Sequence, residues 1–350
     1  MTGKAVVIGL GKIGFSFGLD TLRKQPASHL ACYSEILPQN MIGVCDVDEQ
    51  KLRQIEYDYM PQIGYACQDV EELLGEFEPE IVSIATPTPT HVNIVKDVAK
   101  FECVKAIFLE KPIAQNIRDA KEMIQVCKDA DIRLSVNYTR RWNPVYQRYV
   151  GESFDMAIGL HPGPIVRTGS HMLDLFNLYF GKPLHVRAFG GPEENYLEEE
   201  YNDYNINGYV QYAGGSATLI SGMHRPNTVL FELDLFSKSR RVRFVDNGDK
   251  TFHYRLAPGG YSDLNEYQVE MMIRSGHEQI MEHTVNYTTP LMMAIEQTIN
   301  CIRFPLMNFC SGEAALEALK VALGIHYSAM HGNKRLQLDK LPDAYGVRTY

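Results

Sequence analysis

The sequence predicts an α/β protein: an N-terminal doubly wound parallel sheet, then a C-terminal α+β domain with an open, mainly antiparallel sheet. Three observations carry this expectation. Over the first 137 residues, short continuous apolar runs alternate with helical patterns, as strands covered on both faces require. The pattern then changes to apolar–polar alternation, as in strands with one covered face. A length of 350 residues also exceeds one ordinary core and suits two domains.

The elements follow in order. Residues 4–8, 41–45, 81–85, 106–109 and 133–136 are Val/Ile/Leu-rich runs that read as buried strands. Residues 48–59, 70–75, 91–100 and 117–130 between them read as helices, the signature of a doubly wound domain. The boundary is expected near Asn137, dividing the chain into residues 1–137 and 138–350. Residues 207–221 and 229–245 then read as antiparallel strands, and residues 193–205, rich in Glu, Asn and Tyr, as a surface excursion. Two helices close the chain. One covers 289–302; the other has Ser311 as N-cap, Glu313 in its first turn, and Leu316, Leu319 and Leu323 on one stripe.

Composition bounds the function. The chain is 45% hydrophobic and 22% charged with net charge −9, which argues against a general nucleic-acid or anionic-membrane binder. The apolar run 5–10 is broken by Lys12, so the N-terminus does not read as a signal peptide, and no apolar stretch approaches the roughly 20 residues of a membrane helix. Seven cysteines without a C-x-x-C pair read as reduced thiols. A cytoplasmic protein is expected. The 11 histidines show no ligand spacing, so no metal is implied.

The motif G-L-G-K-I-G spans Gly9 to Gly14 directly after a strand. Gly9 permits a tight turn, Gly11 lets the backbone approach a pyrophosphate, and Gly14 lets a helix pack on the strand. Lys12 and Ile13 complete the loop, and the helix that should follow offers its N-terminal N–H groups to phosphate. Asp46, at the end of the second strand, is placed to accept from the adenosine ribose hydroxyls and to repel a 2′-phosphate, favouring NAD over NADP. Its spacing of 32 from Gly14 exceeds the usual figure of about 20, which suggests an insertion around residues 15–28. Asp48 competes for the role, but has a sufficient one as N-cap of the next helix.

Three further motifs are A-T-P-T-P-T-H from Ala85, E-K-P from Glu110 and G-S-H-M-L-D-L from Gly169. With the glycine loop, N-Y-T-R-R-W from Asn137 and the helix from Ser311, the chain resembles the glucose–fructose oxidoreductase, inositol dehydrogenase and rhizopine-catabolism (Gfo/Idh/MocA) family. The S-H-L-A-C-Y run at residues 28–33 looks like members among surface-polysaccharide oxidoreductases. The resemblance implies a Rossmann domain followed by a substrate domain. Thr86, Pro87 and Thr88 would line the coenzyme, His91 would start the next helix or touch the coenzyme, and Glu110 would accept from the nicotinamide ribose. It also implies a cis bond between Lys111 and Pro112, and a His171 within reach of the substrate hydroxyl.

Removing a hydride from a carbinol carbon also requires removing the hydroxyl proton. Lys111, at the carboxyl end of a parallel strand where open α/β sheets bind ligands, can do this if desolvation or a neighbouring cation depresses its pKa. His171 can donate, accept or relay the same proton. Asp174 could orient His171 or cap a loop. Many family members carry Asp four residues before the histidine, and this chain has Arg167 there, so an inositol-type polyol is disfavoured. Arg167, Arg140 and Arg141 could form a cationic rim for a carboxylate or phosphate, with Tyr138, Asn143 and Tyr146 lining the pocket. The expectation is an NAD(P)-dependent oxidoreductase acting on a hydroxyl or carbonyl carbon of a sugar-like substrate, anionic or nucleotide-linked, in a homodimer or homotetramer. A catalytically silent NAD-binding sensor and an enzyme that recycles tightly held NAD are the alternatives.

Overall fold

The computed structural model describes residues 3–59, 61–190, 201–221, 231–238, 240–255, 278–283, 288–305 and 310–349. Residues 193–200, 229, 230 and 239, which belong to two of the sequence expectations, lie outside it.

The first sheet has six parallel strands. They are β1 (Ala5–Ile8), β2 (Ile42–Cys45), β3 (Ile63–Cys67), β4 (Ile81–Ile84), β5 (Ala106–Leu109) and β6 (Arg133–Val136), in the order β3-β2-β1-β4-β5-β6. Every residue of β1, β2, β4 and β5 is buried, which is why they stand in the sequence as uninterrupted apolar runs. Five helices cover the faces: α1 (His29–Ile36), α2 (Glu49–Tyr59), α3 (Val70–Phe77), α4 (His91–Val98) and α5 (Ile117–Asp129). Side chains fix several starts. Ser28 accepts from the Ala31 N–H, Asp69 from Glu72 and Asn116 from Asp119. Two elements go beyond the sequence expectation. Strand β3 is a half-exposed edge strand, so it lacks the continuous apolar signal. Helix α1 lies beyond the expected insertion.

Carrying the chain from β1 outward to β2 and β3, then across to β4, reverses the strand order between β1 and β4. The crevice at the carboxyl ends there is where such sheets bind ligands. Gly9 follows β1, Asp46 follows β2, Thr86 follows β4, Glu110 and Lys111 follow β5, and Asn137 follows β6.

After the short helix α6 (Pro144–Gln147) come β7 (Met156–His161), α7 (Ser170–Phe180) and β8 (Pro183–Ala188). Next are β9 (Gly208–Tyr212), β10 (Ser216–Ser221), β11 (Glu232–Phe236), β12 (Arg240–Val245), β13 (Lys250–Arg255) and β14 (Glu278–His283). Helices α8 (Pro290–Cys301) and α9 (Gly312–Met330) precede a short strand, β15 (Leu336–Gln337). The second sheet runs β14-β13-β12-β11-β7-β10-β9-β8-β15, antiparallel except for the β7–β10 pair. Alternate residues of β9 and β10 are buried, and α7 and α9 pack on that face. Helix α9 is capped by Ser311 and buried on more than one side, because it also touches α5 of the first layer. Among the described residues, no helix is long and apolar enough to cross a membrane.

Candidate active site

The glycine turn is built as its spacing requires. Gly9 sits at φ +92°, and a Cβ there would stand 2.8 Å from the Thr86 methyl and 2.9 Å from the Ala85 carbonyl, so only glycine fits. A side chain on Gly14 would overlap the Gly9 carbonyl oxygen. A Cβ on Gly11 would meet nothing within 4 Å, so the open side of the turn lies there, the cradle a pyrophosphate needs. Lys12 is exposed and Ile13 half-buried beside it. Gly11→Val is therefore expected to leave thermal stability without coenzyme unchanged. It should weaken NAD binding at least tenfold, about 1.4 kcal/mol, by titration calorimetry.

The helix after this turn departs from expectation. It begins with one turn, Phe15 N–H donating to Gly11 at 2.9 Å, then is interrupted. It resumes at His29, where the His29 and Leu30 N–H groups donate to Ile13 (2.9 Å) and Gly14 (3.0 Å). Residues 15–28 are thus spliced into a helix, and the first donors of α1 are used internally rather than offered to phosphate. Without these 14 residues, the spacing from Gly14 to Asp46 is 18, close to the usual value of about 20.

Asp46 is buried and braces the turn. One carboxylate oxygen accepts from Leu10 N–H at 2.6 Å, the other from Asp48 N–H at 2.9 Å, and the Lys51 ammonium lies 3.3 Å away. Asp48 accepts from Gln50 N–H at 3.0 Å, at the start of α2. Thr88 is buried, Thr86 half-buried and Pro87 exposed. The two ring nitrogens of His91 face the carbonyls of Ile113 (3.2 Å) and Thr86 (3.0 Å). A neutral imidazole can donate to only one of them, and burial lowers the pKa. His91 starts α4 and fastens the turn after β4 to the turn after β5. The helix-start reading of His91 matches this position.

Glu110 is buried at the tip of β5. His29 Nε2 donates to its Oε1 at 3.0 Å and Asn137 Nδ2 donates to the same oxygen at 2.5 Å. Burial pushes the carboxyl up, but these two donors outweigh it and hold it below its usual range. Neither His29 nor Asn137 figures among the expected site residues; His29 lies in the Ser28–Tyr33 run that the interruption brings back over the sheet.

The Lys111–Pro112 bond is cis, and Lys111 Nζ donates to the Arg167 carbonyl at 2.9 Å. Burial lowers the Lys111 pKa; Glu110 opposes this, and Arg167 and Arg140 add to it. His171, in the first turn of α7, lies edge-on to the buried Tyr138 ring, with centroids 5.6 Å apart. Its Nδ1 is buried without a hydrogen-bond partner among the described residues. Burial first, then the charges of Arg140 and Lys111, push its pKa well below 6.5, so the ring is neutral near pH 7. His161, the last residue of β7, is a neighbour that composition did not reveal. Its Nε2 also lacks a partner among the described residues and would stand 2.9 Å from a Cβ on Gly169. Burial brings it down to about 4.

Of the expected rim, Arg140 and Arg167 belong to this cluster and Arg141 does not. Arg140 lies over the Phe231 ring at 3.7 Å and donates to Asn247 at 3.0 Å. Arg141 forks onto Asp174 at 2.7 and 2.9 Å, a buried pair tying residues 139–142 to α7. Asp174 is fully buried and its carboxylate is taken by Arg141, which corrects its readings as the residue that orients His171 or caps a loop and leaves it facing no open pocket. Asn143 caps α6 by accepting from Val145 N–H at 3.0 Å, and Tyr146 is fully buried against Phe244; neither lines an open pocket. Of the expected surface excursion only residues 201–205 are described, and there Asp203 is buried: it is 3% exposed and accepts from Val166 N–H at 2.9 Å and Arg167 N–H at 2.7 Å. Among the described residues, no group of three or more His, Cys, Asp or Glu could hold a metal ion.

Residues 4–138 match the model of the Gfo/Idh/MocA oxidoreductase family with an NAD-binding Rossmann fold. Among curated relatives, D-apiose dehydrogenase of Paraburkholderia graminis is 29% identical over 132 residues, 38% of this chain and 34% of that protein. The scyllo-inositol 2-dehydrogenase (NAD(+)) of Bacillus subtilis is 24% identical over 234 residues, 63% of this chain and 57% of that one. The chain thus spans between a third and three-fifths of the length of these relatives. Among solved structures, UDP-N-acetylglucosamine 3-dehydrogenase from Acidithiobacillus ferrooxidans superposes with a TM-score of 0.73 at 19% identity. That match covers 95% of this chain and 100% of that one, and establishes the fold through both sheets.

Proposed function

We propose, from the premise that this chain belongs to the Gfo/Idh/MocA oxidoreductase family, that it is an NAD-dependent dehydrogenase or reductase of a sugar derivative. Residues 1–137 bind the dinucleotide and 138–350 the substrate. The observation that carries the reading is the Lys111 amine at the tip of β5, bonded to the Arg167 carbonyl at 2.9 Å, with the His171 ring nearby.

A bound nicotinamide would supply the hydride acceptor; the Lys111 amine would take the hydroxyl proton of the carbinol substrate and become an ammonium as the carbonyl forms. In the reverse direction that ammonium polarises the carbonyl and returns the proton. His171, neutral and buried, holds the substrate oxygen or relays the proton outward. Glu110, kept ionised by His29 and Asn137, would accept from a ribose hydroxyl of the coenzyme. Asp46 favours NAD, because its carboxylate would repel a 2′-phosphate on the ribose.

Arg140 and Arg167 support an anionic substrate, such as a uronate or a nucleotide-linked sugar, since guanidinium groups bind carboxylate and phosphate in a fork. The open second sheet supports a homodimer or homotetramer. Seven free cysteines, six of them buried, support a reducing compartment such as the cytoplasm. The test is nicotinamide absorbance with NAD or NADP and a panel of neutral sugars, uronates and nucleotide sugars. Turnover with NAD confined to anionic members is expected; turnover of neutral sugars alone, or with NADP alone, overturns the reading.

A further inference from the structure

We propose that Asp203 is the positioning carboxylate of the Lys111 site, aiming the amine through the backbone of residues 165–169. The inference rests on the role given to Lys111 above and adds a residue to it. Four residues before His171 the chain carries Arg167 rather than an acid, so the nearby segment supplies no carboxylate to balance the cations there.

Three hydrogen bonds make the connection. Asp203 accepts from the N–H groups of Val166 (2.9 Å) and Arg167 (2.7 Å), one on each carboxylate oxygen. That fixes the turn Ile165–Gly169 with the Arg167 carbonyl directed at Lys111 Nζ, 2.9 Å away. The segment bearing Asp203 is itself fastened: the Tyr204 carbonyl accepts from Ile165 N–H at 2.9 Å, and the Asn202 carbonyl meets His326 Nε2 at 2.7 Å. Tyr204 also stacks on the His326 ring, with centroids 5.6 Å apart, so α9 backs the carboxylate. The charged groups facing Asp203 are Arg167 and Lys111, with His326 behind its own chain segment. Asp203 is thus both the clamp on the Lys111 acceptor and the anion opposing Arg167 and Arg140. Burial raises its pKa to about 6, despite the two N–H donors that stabilise its charge. Below that pH the clamp loses one acceptor.

Asp203→Asn keeps the shape, removes the charge and turns one acceptor into a donor. The informative readout is the pH dependence of Lys111 acylation, followed by mass spectrometry on the full chain without coenzyme. That readout needs no turnover. Loss of both the anion and the aimed carbonyl should lower the Lys111 midpoint by about half a unit or more. In parallel, kcat should fall about 10- to 100-fold with the KM for NAD unchanged, and formate added to Asp203→Ala should recover part of it. If either variant folds poorly, the unmutated protein carries the same test: its Lys111 profile should show a second inflection as Asp203 titrates. A Lys111 midpoint unmoved in Asp203→Asn, or a single inflection in the unmutated protein, overturns the proposal, because a purely structural carboxylate would lower stability alone. Turnover persisting in Lys111→Met would instead sink the role given to Lys111, and absence of turnover in the unmutated protein with every member of the sugar panel would sink the dehydrogenase reading, which separates these failures from that of Asp203.

Discussion

Lys111→Met is expected to lower kcat by about 10²- to 10⁴-fold, the range for losing a positioned acid–base group, while NAD still binds. Methionine fills a similar volume, so the fold should persist. The pH profile gives the second half of the test. Alcohol oxidation needs the neutral amine, so kcat/KM should rise as pH rises through the Lys111 pKa and level off above it. Carbonyl reduction needs the ammonium and should fall across the same interval. Burial, with Arg167 and Arg140 nearby, places that pKa below the ordinary lysine value of 10.5. An anionic substrate neutralising the arginines would relieve part of the depression, so the kcat profile should inflect at higher pH than the kcat/KM profile. In Lys111→Met both inflections should vanish, as measured by initial rates across pH.

Asp174→Ala should destabilise the protein by about 3–5 kcal/mol, the cost of leaving one member of a buried ion pair without the other. Asp174 is fully buried and receives both the Nε and Nη2 groups of Arg141, so its removal strands a guanidinium between residues 139–142 and α7. Chemical denaturation should show the loss as a lower midpoint. The double substitution Arg141→Met with Asp174→Leu should recover most of it, because two apolar groups of similar size need no compensation. A small loss in the single variant, within about 0.5 kcal/mol, would mean that the pair is solvated and not the strut described here.

Both results bear on what the sequence could disclose. The parallel strands were legible because burial on both faces writes them as apolar runs, and β3 was not, because its residues are half-exposed at the edge. The glycine turn was legible because the strand and turn that require it lie within a few positions, whereas E-K-P points to Glu110 and Lys111 but not to their partners His29, Asn137 and Arg167, 27 to 81 residues away. Arg141, Asp174 and Asn143 were misread for another reason. Charged or polar residues look alike in sequence whether they face a ligand or one another, and only packing decides. Asp203 was hidden by composition, since its segment shares the Glu, Asn and Tyr content of an exposed loop yet is drawn inward by the N–H groups of Val166 and Arg167. His29 was hidden by the interruption of the first helix, which leaves it 81 residues from the Glu110 it touches.

The proposed function requires that a bound dinucleotide lie over the turn at Gly11 and bring its nicotinamide beside Lys111 and His171. A crystal structure of the protein with NAD and a substrate analogue tests it most directly. The account predicts a carbinol carbon about 3–3.5 Å from the nicotinamide C4, with its oxygen in hydrogen-bond reach of Lys111 Nζ. A nicotinamide seated elsewhere, or a Lys111 amine turned out to bulk solvent, would contradict it.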